Sequence, residues 1–444
     1  MTDSSAMRDE GLVRVIGSGA LGLSVVNLVV GAGIFAYPGL IAAELGPAAV
    51  LAYLICSVTV ALVFLCFAEV GSRISRSGGA YAYIEEAFGP FVGFIASTLF
   101  WFGYSALADA AITVAMLEAM SFVFPVLSES IPRGLFIVAL FTFLAAVNVM
   151  GVKAGVRLYI FNTVAKLVPL LLLLVVGLFA INTEHLVIHE WPSIQSIGAG
   201  AVMLFFAFTG AESALSVSGE IKNPAKTVPL GLLFGLSSLL LLYVGLQAVS
   251  QGVLGPELGN NTEAPLAAVA TEVFGSWGGK MLLAGMVISI YGAISGDMLA
   301  GPRVLFASSL DNNLPKFLSR VHPKYRTPYV AILFYAVVIC AFALSGTFKY
   351  LAIVATGSLL LIDLGVSLAV LQLRRRDGLP KAGEFRLPFG PLIPLASCAI
   401  IGFLLAQLPG DEATSVALLV AAAVAVYAVR ALVRRRAAEG RDAA

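Results

Sequence analysis

Among the charged residues inside long apolar segments of the chain, five could take part in chemistry: Asp109, Lys166, Glu212, Asp297 and Asp363. A charged side chain at the centre of a membrane span costs about 2.5–3.5 kcal/mol on insertion scales, so such residues are candidates for binding ions or substrates. Lys166 is the only basic residue deep in one of these segments. Burial favours the neutral form of an amine, so Lys166 could exchange its proton or replace a bound cation with its own charge.

Two of the apolar segments also carry glycine near their middle, in Gly31-Ala32-Gly33 and in Phe208-Thr209-Gly210. A glycine lowers helix stability by about 1 kcal/mol relative to alanine and lets a ligand approach the backbone closely. A broken helix exposes N–H groups that attract a carboxylate and carbonyl groups that attract an ammonium group. A zwitterionic amino acid would fit two such breaks. Close packing between helices is the other common use of these glycines.

Membrane helices must hold these residues in place. The chain has 444 residues, of which 59% are apolar and 12% charged, whereas soluble proteins average about 25% charged. Helices are expected because an open sheet leaves its edge groups unsatisfied in lipid. Apolar runs near the ~20 residues that cross a bilayer occur at 15–41, 47–68, 91–124, 134–152, 158–181, 194–218, 227–251, 281–307, 328–348, 350–373, 389–409 and 413–433.

The positions of Lys and Arg predict the orientation, because these residues gather in cytoplasmic loops. If all twelve runs cross the membrane, the termini and every second loop hold most of the basic residues: Arg8, Arg14, Arg73, Arg76, Lys153, Arg157, Lys222, Lys226, Arg303, Lys316, Arg320, Lys324, Arg326, Arg374, Arg375, Arg376, Lys381, Arg386, Arg430, Arg434, Arg435, Arg436 and Arg441. The other loops hold only Arg133, Lys280 and Lys349. We therefore expect both termini in the cytoplasm and no nucleic-acid partner for the arginines of the tail. The compact loops suit a bacterial inner membrane, that is, a plasma membrane.

The two glycine-bearing runs are the first and the sixth, so each opens a unit of five helices. Because five is odd, the second unit is inverted, and paired interruptions in inverted halves are a pointer to a transporter site. We predict an all-α integral membrane protein with twelve transmembrane helices, a five-plus-five inverted repeat with broken helices 1 and 6, plus two C-terminal helices. The expected parts are an N-terminal tail (1–14), the repeats (15–181 and 194–373), the last two helices (389–433) and a C-terminal tail (434–444).

Several motifs resemble those of the amino acid–polyamine–organocation (APC) family of permeases. The first broken segment reads Gly31-Ala32-Gly33-Ile34-Phe35, and the loop after helix 2 reads Ser77-Gly78-Gly79-Ala80-Tyr81. The most specific match is in helix 6, where Phe208-Thr209-Gly210-Ala211-Glu212 leads to Glu220-Ile221-Lys222-Asn223-Pro224. The resemblance runs from about residue 12 to residue 400, and it implies the family's twelve-helix fold.

The resemblance also implies a substrate site at the two breaks. The N–H groups of Ala32 and Gly33, next to Gly31, would receive a carboxylate. The carbonyl groups of Val29, Phe206 and Thr209, next to Gly210, would receive an amino group. Phe206 occupies the position of the family's aromatic gate, although a lipid-facing ring is an equal alternative.

The buried charged residues are expected to have different roles. Some family members carry a lysine at the position of Lys166 where sodium-dependent relatives of the fold bind an ion, so we expect Lys166 to replace sodium and to tether helix 1 to helix 8. Glu212 would brace the broken helix, or accept a proton. Asp109 could bind a cationic group or pair with Lys166. We expect Asp297 and Asp363 to face the interior and to find hydroxyl or backbone partners.

Together these features predict a secondary active transporter, not an enzyme, for a small amino acid or amine. A neutral amino acid is expected from the apolar walls, with coupling to protons or to counter-substrate and without sodium. The alternative is a cationic amino acid or polyamine with Asp109 as counter-charge. A binding protein without turnover is a further alternative. No phosphate-binding loop or nucleophile–base set occurs, and His185 and His189 lack further ligands, so no cofactor or metal is expected. The oligomeric state stays open.

Overall fold

The structure, a computed structural model, describes residues 16–74, 79–121, 123–150, 156–215, 221–310, 314–381 and 383–442. Within these ranges it is helical and contains no β-strand, apart from an isolated bridge between Ile16 and Ile221. The α-helices are α1 Ser18–Val29, α2 Gly33–Leu45, α3 Ala49–Arg73, α4 Ala80–Phe88, α5 Pro90–Thr98, α6 Leu107–Ser121, α7 Ser130–Met150, α8 Val156–Gly177, α9 Ile194–Phe205, α10 Ala211–Ala214, α11 Pro224–Leu254, α12 Pro265–Phe274, α13 Ser276–Leu310, α14 Tyr329–Ser345, α15 Phe348–Asp377, α16 Leu392–Ala406 and α17 Gly410–Asp442.

Seven helical segments within the described ranges are long and apolar enough to cross a membrane. They are Gly33–Arg73, Pro90–Ser121, Ser130–Met150, Pro224–Asn260, Ser276–Leu310, Phe348–Asp377 and Gly410–Ala431. Shorter apolar helices lie between them, including α1, α9, α14 and α16. Since about 20 residues cross ~30 Å of hydrocarbon, the seven segments make this a multi-pass membrane protein.

The first break separates α1 from α2. Helix α1 ends at Val29, and α2 begins at Gly33. The second break follows α9, where a single 3₁₀ turn from Phe206 to Phe208 leads to an extended Thr209 and then to α10. Both interruptions fall where the glycine pattern predicts them.

Gly210 is required at the second break for two reasons. Its φ of +115° is a conformation that L side chains rarely adopt, and an added Cβ would lie 2.9 Å from the carbonyl oxygen of Leu28. Glycine alone fits both the backbone conformation and the close approach of α1.

The helices that carry the breaks are enclosed by the others. Helix α1 packs against α11 and α10, and α13 packs against α6, α8 and α14. Between α5 and α6 the backbone is π-helical from Leu99 to Ala106, a local widening that is frequent at functional sites. Helix α15 is the most buried of the long segments, whereas few side chains of α17 between Gly410 and Ala431 are buried, as expected for a helix that faces lipid.

Two short helices were not among the expected elements. Helix α4 has 9 residues and α12 has 10, too few to cross a bilayer. They lie in segments that the apolar runs leave as connections. Hydropathy selects long apolar stretches, so it does not report short helices in connecting segments.

A buried ion pair holds one end of the helix bundle. Arg374 of α15 donates from Nε to Oε1 of Glu69 on α3 over 2.7 Å, and its second guanidinium nitrogen bonds Oε2. The backbone N–H of Leu387 also donates to Oε2 over 2.9 Å. The Glu69 side chain is fully buried. At the same end, the N–H of Lys222 donates to the carbonyl of Ile16 over 2.9 Å.

Candidate functional site

The two helix breaks meet at a cavity of about 70 Å³, which has room for roughly two water molecules. All the residues predicted to bind substrate line it: Val29, Gly31, Ala32, Gly33, Asp109, Phe206, Thr209 and Gly210. The breaks contact each other directly, because an added Cβ on Gly33 would lie 2.7 Å from Cα of Ala207. The sequence pattern therefore selects residues that share one site.

The backbone groups at the cavity differ in how far they are already bonded. The carbonyl of Phe206 accepts from the N–H and the hydroxyl of Thr209, over 3.2 and 2.8 Å, and two bonds saturate a carbonyl oxygen. The carbonyl of Val29 also has two donors, the N–H of Gly31 over 2.7 Å and the hydroxyl of Tyr243 over 3.1 Å. On the opposite side, Ala32 and Gly33 begin α2, where N–H groups have no partner inside the helix.

Lys166 lies beside the end of α1 rather than in the cavity. Its Nζ donates to the carbonyl of Asn27, and to that of Val30 over 2.9 Å. Only 3% of the side chain is exposed. The hydroxyl of Ser289 on α13 donates to the same Val30 carbonyl over 3.3 Å. The ammonium group therefore meets the negative end of the α1 dipole, and α1 is bonded at this point to both α8 and α13.

Glu212 closes the second break from within. Its Oε2 accepts a hydrogen bond from the N–H of Gly210 over 2.8 Å, and the side chain is buried. This is the geometry expected of a brace on the freed backbone.

Asp109 lines the cavity from α6, and its Oδ2 accepts from the hydroxyl of Tyr335 over 3.1 Å. Tyr335 in turn shares a 2.7 Å hydrogen bond with Ser105. Lys166 is bonded elsewhere, so the alternative in which it pairs with Asp109 does not describe this structure.

Asp297 of α13 also lines the cavity, and its carboxyl group is within hydrogen-bonding reach of Asp109. The sequence identifies Asp297 as a buried charge. The partner expected for it was a hydroxyl or backbone group, not a second carboxyl group. For Asp363 the same expectation is wrong within the described part of the chain, where both of its buried carboxyl oxygens lack a hydrogen-bond donor.

Three aromatic rings close one side of the cavity. The ring of Phe206 lies 6.3 Å from that of Tyr37 and 6.2 Å from that of Phe348, and the latter two are 5.6 Å apart, between centroids. Phe206 is 5% exposed, so the lipid-facing alternative is wrong. Beyond the rings is a larger cavity of about 400 Å³, lined by Phe348 and by Glu118, Arg133 and Lys349.

The chain is similar over most of its length to known transporters. It is 29% identical over 398 residues to the serine/threonine exchanger SteT of Bacillus subtilis (strain 168), which covers 88% of this chain and 90% of that protein. It is 27% identical over 449 residues to the methylthioribose transporter of the same organism, covering 96% and 95%. The branched-chain amino acid permease BcaP of that organism is 29% identical over 420 residues, covering 90% and 89%.

A family model described as amino acid permease matches residues 20–429. This match spans nearly the whole chain, including both helix breaks and the cavity between them. The protein therefore belongs to the amino acid permease family, within the APC group of membrane transporters.

Proposed function

We propose that this protein is a secondary active transporter that carries a small amino acid across the membrane by alternating access. The observation that carries the proposal is the cavity at the junction of the two helix breaks, lined by Ala32 and Gly33 at the start of α2 and by Thr209. The first turn of α2 offers N–H groups for the carboxylate. The Thr209 carbonyl is the group that would take the ammonium group.

The proposed topology has twelve transmembrane helices. Helices α1 and α2 together form the first span and α9 with α10 the sixth, so that residues 15–181 and 194–373 are the two inverted repeats and 389–433 the last two spans. The distribution of basic residues supports cytoplasmic termini, 1–14 and 434–444, in a bacterial inner membrane. In this orientation the 400 Å³ cavity faces outward, and the Glu69–Arg374 pair closes the cytoplasmic end.

The proposed transport is independent of sodium, because the ammonium group of Lys166 already occupies the end of α1. Movement would be driven by protons or by exchange for another amino acid. Relatives named as a serine/threonine exchanger and a branched-chain amino acid permease support a neutral substrate. The carboxylate of Asp109 in the cavity supports the second candidate, a cationic amino acid or polyamine.

The experiment is counterflow into liposomes that contain the purified full chain. Vesicles are preloaded with one unlabelled compound, and uptake of the same labelled compound is followed with and without sodium. The panel is alanine, serine, threonine, leucine, arginine, putrescine and methylthioribose. Saturable counterflow of a neutral amino acid, unchanged by sodium, is expected. Counterflow of methylthioribose alone, or of none of these compounds, would overturn the proposal.

A further inference from the structure

Two carboxyl groups face each other in the cavity wall. Asp109 stands on α6 and Asp297 on α13, both line the cavity, and their side chains are within hydrogen-bonding reach of each other. Asp109 is 1% exposed. Its Oδ2 has the hydroxyl of Tyr335 as donor, but its buried Oδ1 has no N–H or O–H donor within the described residues.

This arrangement requires a proton. A carboxylate only accepts hydrogen bonds, so two carboxyl groups bond each other only when one of them carries a hydrogen. Two negative charges at such a distance also repel strongly in a poorly solvated site, and such pairs characteristically hold one proton between them. The proton also supplies a donor to the pair, in which Oδ1 of Asp109 otherwise has none within the described residues.

None of the described groups around the pair is a cation that would compete with this proton. Tyr335 on α14 donates to Asp109, Tyr104 in the π-helical segment lines the same cavity, and the carboxylate of Glu212 on α10 is bonded to the N–H of Gly210. The breaks contribute uncharged backbone groups. No Lys, Arg or His side chain is among the described residues that line the cavity, and Lys166 is engaged at the end of α1.

We propose that Asp109 and Asp297 form the binding site of the coupling proton, next to the amino acid. This rests on the proposed transport function and names its driving ion. A proton enters the pair when the cavity opens to the outside, is enclosed together with the substrate, and leaves to water when the cavity opens to the cytoplasm. A second amino group on the substrate is the other ligand that such a pair could take, and arginine and putrescine transport by the cavity variants distinguishes the two.

The test compares Asp109→Asn and Asp297→Asn with the parent in three measurements. These are accumulation of labelled substrate driven by an imposed inward proton gradient, counterflow without a gradient, and the pH change on substrate addition to protein in weak buffer. Size-exclusion profiles establish that each variant is folded. Asp363→Asn is the matched control, because it neutralises another buried carboxyl group that does not line the cavity.

In the parent, an inward proton gradient should raise accumulation at least tenfold over the level without a gradient. Each of the two cavity variants should abolish that rise and make counterflow insensitive to pH, while counterflow itself stays measurable. Asp363→Asn should keep the response to the gradient. Retention of gradient-driven accumulation by both cavity variants would overturn the inference.

Two further results would also overturn it. One is loss of the gradient response in Asp363→Asn instead, and the other is loss of arginine or putrescine transport alone in the cavity variants, which would make the pair a substrate counter-charge. Failure of the transport proposal looks different, since the parent would then show no counterflow at all. If both asparagine variants fail to fold, the pH change on substrate binding to the parent still decides: binding without any proton uptake or release across acidic to neutral pH contradicts the inference.

Discussion

The side-chain nitrogen of Lys166 lies 2.9 Å from the carbonyl oxygen of Val30, the first residue after α1 ends. A second bond from the same nitrogen reaches the carbonyl of Asn27. Lys166 belongs to the neighbouring helix α8 and is buried. Its ammonium group therefore offsets the negative partial charge at the end of α1. If α1 moves, these hydrogen bonds must either break or move together with the helix.

We expect Lys166→Ala to reduce substrate uptake and to change its pH dependence. The substitution removes charge-assisted hydrogen bonds worth about 1.5–3 kcal/mol each. Loss of one such bond corresponds to at least a tenfold fall in uptake, because about 1.4 kcal/mol is a factor of ten. The control is Lys280→Ala, which removes an exposed lysine that lines neither cavity. Unaltered uptake with an unaltered pH profile in Lys166→Ala would show that the lysine has no role in transport.

For Glu212 the conservative substitution separates two roles. Glu212→Gln keeps an oxygen that can accept from the N–H of Gly210, so we expect counterflow within about threefold of the parent. Glu212→Ala leaves that buried N–H without its acceptor, at a cost of about 1–3 kcal/mol, and should lose most activity. Counterflow and apparent Tm in detergent are the measurements. If Glu212→Gln is as inactive as Glu212→Ala, the residue carries a proton rather than bracing the helix.

Gly33→Ala should impair both stability and transport, because the new methyl group would lie 2.7 and 2.8 Å from Cα and Cβ of Ala207. Overpacking of this kind costs about 1–3 kcal/mol. Gly402→Ala in α16 is the matched control, since nothing lies within 4 Å of its added Cβ, and it should be neutral or slightly stabilising. Thermal unfolding and counterflow test the pair. Equal behaviour of the two variants would mean that the breaks are not in tight contact.

The ion pair between Glu69 and Arg374 should contribute more to stability than its neighbour on the same helix. Arg374→Gln leaves the fully buried Glu69 with only a 4.0 Å contact to Arg73 as counter-charge, and breaking a buried pair costs about 3–5 kcal/mol. Arg376→Gln breaks a pair with Glu86 whose side chains are 43% and 46% exposed, and exposed pairs contribute about 0–1 kcal/mol.

Adding Glu69→Gln to Arg374→Gln should restore most of the lost stability, because the buried carboxylate is then gone. Apparent Tm is the measurement for all three variants. Similar losses in Arg374→Gln and Arg376→Gln would mean that Arg73 compensates the Glu69 charge without Arg374.

Helix breaks were predictable from sequence because their cause is local. Gly31, Gly33 and Gly210 weaken their own helix turns and free their own backbone groups, and a residue pattern reports both effects. The brace formed by Glu212 is local too, since it bonds Gly210 two residues earlier.

The partners of the buried acids were not predictable in the same way. Asp297 meets Asp109 only because α13 packs against α6, and no spacing along the chain encodes that contact. The contacts of the Phe206 ring with Tyr37 and Phe348 likewise join distant parts of the chain, so no spacing predicts them. Hydropathy likewise finds spans but does not report the short connecting helices α4 and α12.

On the proposed topology, the two ends of the substrate cavity are closed by interactions of very different strength. Ring pairs such as those among Tyr37, Phe206 and Phe348 contribute about 0.5–1.5 kcal/mol each beyond their area burial, whereas the other end is closed by a buried ion pair and backbone bonds. An amino acid analogue whose side chain props the Phe206 ring open would enter from the 400 Å³ cavity and stop there. Such a compound would inhibit from one face of the membrane only, and a transported substrate that is already inside would not displace it.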